Sequence, residues 1–308
     1  MPTLGKYRWL RELLQIQSSV IPAIFPRVLF CIAFGGLISW LYAFGWPLSR
    51  PELGSLVPTL VLGLLLVFRT NTAYDRFWEG RKIWGGIINT VRNTAQHIWV
   101  FVEEQAPSER VAKQAILRLV VAFAIATKLH LRNEPVNREL QAFVSIEQYK
   151  QLQSSKHPPL EVIFWLKDYL NRQHQQGRLN TYQLNSVVNL LNSLVDYFGG
   201  CERILKTPLP AAYSIHLKQL IFIYCLILPF QLVAELGWLT GPSVGLISFT
   251  LLGIEEIGIE IENPFGRDPN DLPLDTICQT IAHNIEELSQ LDSSASRWVE
   301  PTQRSRSA

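Results

Sequence analysis

The uncharged, apolar residues of this chain gather into four blocks instead of spreading along it. Val28 to Trp46 and Leu53 to Phe68 form one pair, joined by Pro47-Leu48-Ser49-Arg50-Pro51-Glu52. Gln219 to Ala234 and Leu236 to Ile254 form a second pair, interrupted only by Glu235. A helix needs about 20 mainly apolar residues to cross a bilayer, with roughly 17 tolerated. The first and fourth blocks, each 19 residues, reach that length, whereas the second and third, each 16, must borrow flanking residues or lie against protein. A buried helix of a soluble bundle normally keeps a polar stripe, and Leu62-Gly63-Leu64-Leu65-Leu66-Val67-Phe68 has none. The pattern predicts two membrane hairpins, with spans at about 28–46, 53–68, 219–234 and 236–254.

Between the hairpins, residues 69–218 read as a helical region outside the bilayer. Val111 to Phe123 and Leu184 to Phe198 carry apolar residues at helical spacing with polar ones between. Ser154-Ser155-Lys156-His157-Pro158-Pro159 is a breaker, and Gln173 to Arg178 is a polar turn around Gly177. No strand-like alternation lasts more than a few residues, so the fold class is all-α. Residues 1–290 read as one domain, and 291–308 as a polar tail draped loosely over its surroundings.

Two closely spaced hairpins put both termini and the long middle region on one side. Lys6, Arg8, Arg11 and Arg27 precede the first block, and Arg69, Arg76, Arg81, Lys82 and Arg92 follow the second, while the two short turns hold only Arg50, Glu52 and Glu235. The positive-inside rule then places the termini and middle region in the cytoplasm or its topological equivalent. Trp9, Trp40, Trp46, Trp78, Trp84 and Trp238 lie near block edges, as interfacial aromatics do. A bacterial plasma membrane or a thylakoid satisfies this topology.

Composition narrows the function classes. With 48% hydrophobic and 18% charged residues the chain has a mean hydropathy of +0.12, which excludes intrinsic disorder. The balance of 28 basic and 26 acidic residues gives no support to nucleic-acid binding. Cys31, Cys201, Cys225 and Cys278 are far apart with no C-x-x-C, so buried thiols are expected instead of a zinc or disulfide framework. Gly241-Pro242-Ser243-Val244-Gly245 matches G-x-S-x-G, but that motif needs a strand-to-helix turn, and here it interrupts an apolar block; helix kinking or tight packing is the expected role. No histidine has a Glu three residues before it, as a di-metal bundle would require. No phosphate-binding loop, zinc-protease or dinucleotide motif is present. No enzyme is expected.

Two stretches carry unusual chemistry. In the second block Leu60, Leu64 and Phe68 recur every four residues, so they share one helix face about 6 Å apart along the axis. They are read as ordinary packing residues or, around a symmetry axis, as three apolar rings. The polar run Arg69 to Arg81 follows. After the fourth block, Glu255 to Pro273 is rich in carboxylates around Asn263-Pro264-Phe265-Gly266; such oxygens cap helices and pair with arginines, or bind a hard cation such as calcium.

Three separated motifs, in order, give a resemblance to a known family. They are Phe68-Arg69-Thr70-Asn71-Thr72-Ala73-Tyr74-Asp75-Arg76-Phe77-Trp78-Glu79-Gly80-Arg81-Lys82-Ile83-Trp84-Gly85; Gly199-Gly200-Cys201-Glu202-Arg203 with Thr207-Pro208-Leu209-Pro210-Ala211-Ala212-Tyr213; and Glu262-Asn263-Pro264-Phe265-Gly266 with Asn270-Asp271-Leu272-Pro273-Leu274. The chain resembles the bestrophin-like channels of the prokaryotic and plant branch over roughly residues 20–290. The resemblance implies a homopentamer in membrane lipid around one pore, passing chloride and other monovalent anions without a cofactor. Cation-conducting members of the family are the alternative, and a non-conducting membrane scaffold a further one. It also implies a pore neck at Leu60, Leu64 and Phe68 and a second, cytoplasmic aperture at Tyr182 or Gln183. Arg69 and Arg76 become candidates for a selectivity charge or a structural charge. Animal members carry an acidic calcium clasp after the Asn-Pro-Phe-Gly turn. Here Glu262, Asn263, Asp268 and Asp271 would form its remnant, with Arg267 between them. That departure argues against tight calcium binding.

Overall fold

A computed structural model describes residues 19–53 and 56–291, with Gln15, and its regular structure over these residues is entirely helical. The helices are α1 (Ile21–Ala43), α2 (Leu56–Phe101), α3 (Pro107–Leu131), α4 (Arg138–Gln141), α5 (Ile146–Ser154), α6 (Pro158–Gln175), α7 (Thr181–Lys206), α8 (Ala211–Leu236), α9 (Thr240–Glu262) and α10 (Leu274–Gln290), with 3-10 turns at Pro51–Leu53 and Gly237–Leu239. Lys6, Arg8, Trp9, Arg11 and the tail from 292 lie outside the described residues.

The chain divides into two compact units. Unit 1 takes 1–81 and 203–272; unit 2 takes 82–202 and 273–308. The expected boundaries at 69 and 218 marked where polarity changes. The backbone does not change there, because α2 runs uninterrupted for 46 residues through the Arg69–Arg81 run.

Unit 1 holds α1, the first part of α2, α8 and α9. Cys31, Leu62, Leu66, Leu217, Ile221, Cys225, Leu228 and Val244 form its buried cluster. Helices α1 and α9 approach to backbone contact. A Cβ placed on Gly35 would lie 3.0 Å from Gly241 Cα, and one on Gly241 would lie 3.1 Å from Ile32 O and Gly36 N. Small residues permit such an approach between membrane helices. The G-x-S-x-G segment is thus the close-packed first turns of α9, not a nucleophile turn. The second hairpin turns at Gly237, not at Glu235: its φ of +50° lies in the region glycine enters most cheaply. Ser39 Oγ donates to Gly35 O at 2.9 Å or to Gly237 O at 3.0 Å, tying α1 to this turn.

Unit 2 is built around α3, whose residues Leu119 to Ala126 are all buried. Val162, Ile163, Leu166 and Leu170 of α6 and Cys278, Ile281 and Ile285 of α10 are buried on the faces they turn inward. Helix α3 is as long and apolar as a membrane span, yet 72% of its apolar window is buried within the chain, against 28% for α1 and 22% for α2. Its apolarity is used in a protein core. The continuous stretch Ala211–Glu262, also 28% buried, comprises two spans, α8 and α9. Among the described residues, α1, the first part of α2, α8 and α9 are the four apolar helices with outward apolar surface; Phe30, Leu37, Phe222 and Leu246 are examples. An exposed apolar surface of this extent requires lipid or a partner to cover it. All four cysteines are free and buried.

Candidate functional site: the α2 stripe and the junction around Glu262

The first part of α2 has two apolar faces with different fates. Leu62 and Leu66, each 3% exposed, pack into the unit 1 core. Leu60, Leu64 and Phe68 point away from it, at 70, 55 and 55% exposure. The chain therefore leaves this stripe uncovered along three turns of a rigid helix. At about 100° per residue, Asn71 and Asp75 continue the same face within an arc of about 80°, and both are exposed. The surface accordingly passes from a dry apolar section to a polar one carrying a carboxylate.

Immediately beyond the stripe, the family motifs converge within unit 1 on Glu262, the last residue of α9. Arg69 is 3% exposed, and its Nη2 donates to Glu262 Oε2 at 2.8 Å. The other carboxylate oxygen accepts from Leu209 N at 2.9 Å. Arg76 donates from Nε to Glu262 O, and from its terminal nitrogens to Thr207 O and Ile204 O. Arg203 pairs with Glu79, and Tyr213 Oη donates to Leu65 O at 2.8 Å. A Cβ on Gly80 would lie 2.8 Å from Pro264, so the Asn-Pro-Phe-Gly turn sits directly on α2. These contacts join positions from 53 to 193 residues apart in sequence, Arg69 and Glu262 being the most distant pair. The Arg69 guanidinium is thus paired with one carboxylate, its buried Nη1 having no hydrogen-bond partner, and the Arg76 guanidinium bonds three backbone carbonyls. A snorkelling role for Arg69 is excluded by its burial.

The remaining sequence candidates fall elsewhere. Glu262, Asn263, Asp268 and Asp271 do not converge on one point. Glu262 faces Arg69, Asn263 Oδ1 accepts from Phe265 N, and Asp271 Oδ2 accepts from Asp268 N at 2.7 Å, closing the turn. Asn270 donates to Glu260 Oε2 at 2.7 Å. In unit 2, Tyr182 is 89% exposed on the first turn of α7. Gln183 instead folds back: Asn180 Oδ1 accepts from Gln183 N at 2.9 Å and Gln183 Oε1 accepts from Asn180 N at 3.0 Å. This reciprocal pair is a capping box with Asn in place of Ser. It engages Gln183's amide oxygen with the backbone of Asn180.

Sequence reasoning missed the buried cations of unit 2. Lys128, 1% exposed, donates to Glu139 and Asp275, and Arg132 donates to Asp275 at 2.8 Å. Burial pushes the Asp275 carboxyl up, but the hydrogen bonds from Lys128 and Arg132 outweigh it and hold the group at about 2. Lys113, 2% exposed, donates to Val102 O and Glu104 and lies over the Trp99 ring. Their only sequence signal is a base inside an apolar helical run.

Comparison with known proteins agrees with this architecture. Over 94% of both chains, the protein is 59% identical to a voltage-dependent anion channel-forming protein of Nostoc sp. (strain PCC 7120). It is 30% identical to the protein of that description in Escherichia coli K12, over 91% of both chains. The crystal structure of a mutant bacterial bestrophin homologue from Klebsiella pneumoniae superposes with a TM-score of 0.79 at 27% identity, covering 87% of this chain and 99% of the other. Residues 2–287 match the Bacterial/Fungal Bestrophin protein family, and the chain belongs to it.

Proposed function

We propose that this chain is one subunit of a homopentameric, passive anion channel conducting chloride and other monovalent anions. Leu60, Leu64 and Phe68 from each subunit form the apolar neck. The observation that carries this reading is the uncovered stripe on α2: three apolar residues, each at least half exposed, on the side of the helix opposite the buried Leu62 and Leu66, with Val57, Val61 and Val67 exposed beside them. Five copies around an axis would turn it into three rings. Such rings offer no groups to replace an ion's hydration shell, so they pass ions with water and close by dewetting. The relatives named as anion channels support conduction, and no motif of the chain supports catalysis. Tyr182 is our candidate for the second, cytoplasmic aperture. The basic residues flanking the spans support termini on the cytoplasmic side of a bacterial plasma membrane, or the stromal side of a thylakoid.

One observation favours a second reading, cation conduction: Asp75 is exposed on the face of α2 that continues the stripe. Recording from the purified protein in planar bilayers under a KCl gradient separates the two. An anion channel reverses toward the chloride equilibrium potential and a cation channel toward that of potassium. A pentamer with no current in either direction sinks both and leaves a scaffold. Leu60→Ala, Leu64→Ala and Phe68→Ala together should raise open-channel current by widening and wetting the neck; unchanged current would remove the neck assignment alone.

A further inference from the structure

We propose that His130, His157 and Glu202 form a zinc-binding site in unit 2. The three come from different elements: the last turn of α3, the residue before Pro158 at the start of α6, and α7. Their ligand atoms all lie within 4.8 Å of one another. His130 Nε2 is 3.0 Å and His157 Nδ1 3.9 Å from the same oxygen, Glu202 Oε1. The two imidazole rings have centroids 5.5 Å apart, and Phe198 packs edge-on to His130 at 5.2 Å, holding that ring in place.

Two imidazoles and one carboxylate are the donors of a zinc site with an open fourth position for water. Tetrahedral bonds of about 2.0–2.2 Å set donor atoms roughly 3.4 Å apart. The 3.0 Å pair is close to that separation, and the 3.9 Å pair closes with a shift of about 0.5 Å. The side chain that has to move is the one free to do so. His157 is 47% exposed, against 17 and 18% for His130 and Glu202, and its backbone is non-helical. Calcium and magnesium, which take oxygen donors, are poorly served by two nitrogens. Bound zinc would clip the start of α6 onto α3 and α7. Affinity should fall as acid protonates the imidazoles, because the metal needs them neutral.

The test uses the full-length protein in detergent, stripped with chelator and titrated with zinc chloride. One zinc per chain is expected, with Tm raised by about 3–6 °C at tenfold excess over Kd. Cobalt should give the intense visible absorption of a four-coordinate site, and calcium should give no rise. His157→Ala, at an exposed position, should keep its Tm in chelator yet bind zinc at least about tenfold more weakly. Glu202→Gln should abolish the cobalt spectrum. No zinc-dependent rise in the unmodified chain, an equal rise with calcium, or full zinc binding in His157→Ala would each overturn the proposal.

Discussion

Two buried cations, Arg69 of unit 1 and Lys128 of unit 2, and a close-packed glycine in each unit are held in different ways. In unit 1 the buried cation Arg69 has one carboxylate partner, Glu262, itself only 18% exposed. In unit 2 the buried cation Lys128 has two, Glu139 and Asp275, at 37 and 48% exposure. Water can therefore take over for Lys128's partners but hardly for Glu262. Close packing differs likewise. Gly241 meets backbone atoms of α1, while Gly86 in unit 2 meets only the ring of Tyr197, at 2.6 Å. A ring can swing aside and a helix backbone cannot. At these positions unit 1 is thus less forgiving than unit 2.

The sharpest way to break this contrast is to remove each cation. Arg69→Met should cost about 3–5 kcal/mol, the range for leaving one buried charge unpaired, and should show as loss of the folded protein in size-exclusion chromatography. Lys128→Met should cost roughly half as much, about 2 kcal/mol, because Glu139 and Asp275 rehydrate. Equal losses would mean that unit 2 is as closed to water as unit 1.

Glycine replacement probes the packing difference at smaller scale. Gly241→Ala should destabilise by about 1–3 kcal/mol, the usual cost of overpacking, since Ile32 O and Gly36 N must retreat. Gly86→Ala should cost less than about 1 kcal/mol, with Tyr197 adopting a new rotamer. Thermal melts of both variants would expose the contrast, and a larger loss at Gly86 would reverse it.

Much of unit 1 was legible in the sequence, because bilayer thickness imposes a length on any apolar block. The exposed stripe at Leu60, Leu64 and Phe68 was legible as a four-residue recurrence, which by itself left packing and pore lining as alternatives. The junction was legible only as separate motifs: nothing in the spacing of Arg69, Leu209 and Glu262 says that one carboxylate holds the other two. Unit 2 hid more. The apolar run of α3 has a span's composition, and only the helices packed around it show why it lies in a protein core. The break at Ser154–Pro159 and the turn at Gly177, whose φ is +73°, could be read because proline and glycine act locally. The His130, His157 and Glu202 cluster could not, since three distant elements create it.

Acid should separate the units next. Asp275 is held at about 2, below the ordinary aspartate value of 3.8. A depressed carboxyl contributes stability that is fully present above the unfolded value and lost as pH falls through the folded one. Unit 2 should therefore weaken between about pH 4 and pH 2. With the side chain 48% exposed, the loss is on the order of 1 kcal/mol after screening. Near-ultraviolet dichroism on acid titration should show Asp275→Asn less stable at pH 7 and flatter across that window. A variant with the unmodified protein's acid slope would show that another group controls it.

The smallest effects should come from the adjacent pair at the start of α7, where stability and conduction can be told apart. Gln183→Ala removes half of the capping box and should cost about 1 kcal/mol, read as faster hydrogen exchange in the first turn of α7. Tyr182→Ala should stay within about 0.5 kcal/mol, because an 89% exposed side chain has little native packing to lose. If Tyr182 faces the ion path, the order inverts in bilayer recordings: Tyr182→Ala changes conductance or ion preference while Gln183→Ala leaves both nearly unchanged. Conductance that instead follows Gln183 would move the aperture to the capping residue, despite the hydrogen bond that turns its amide oxygen back onto the backbone.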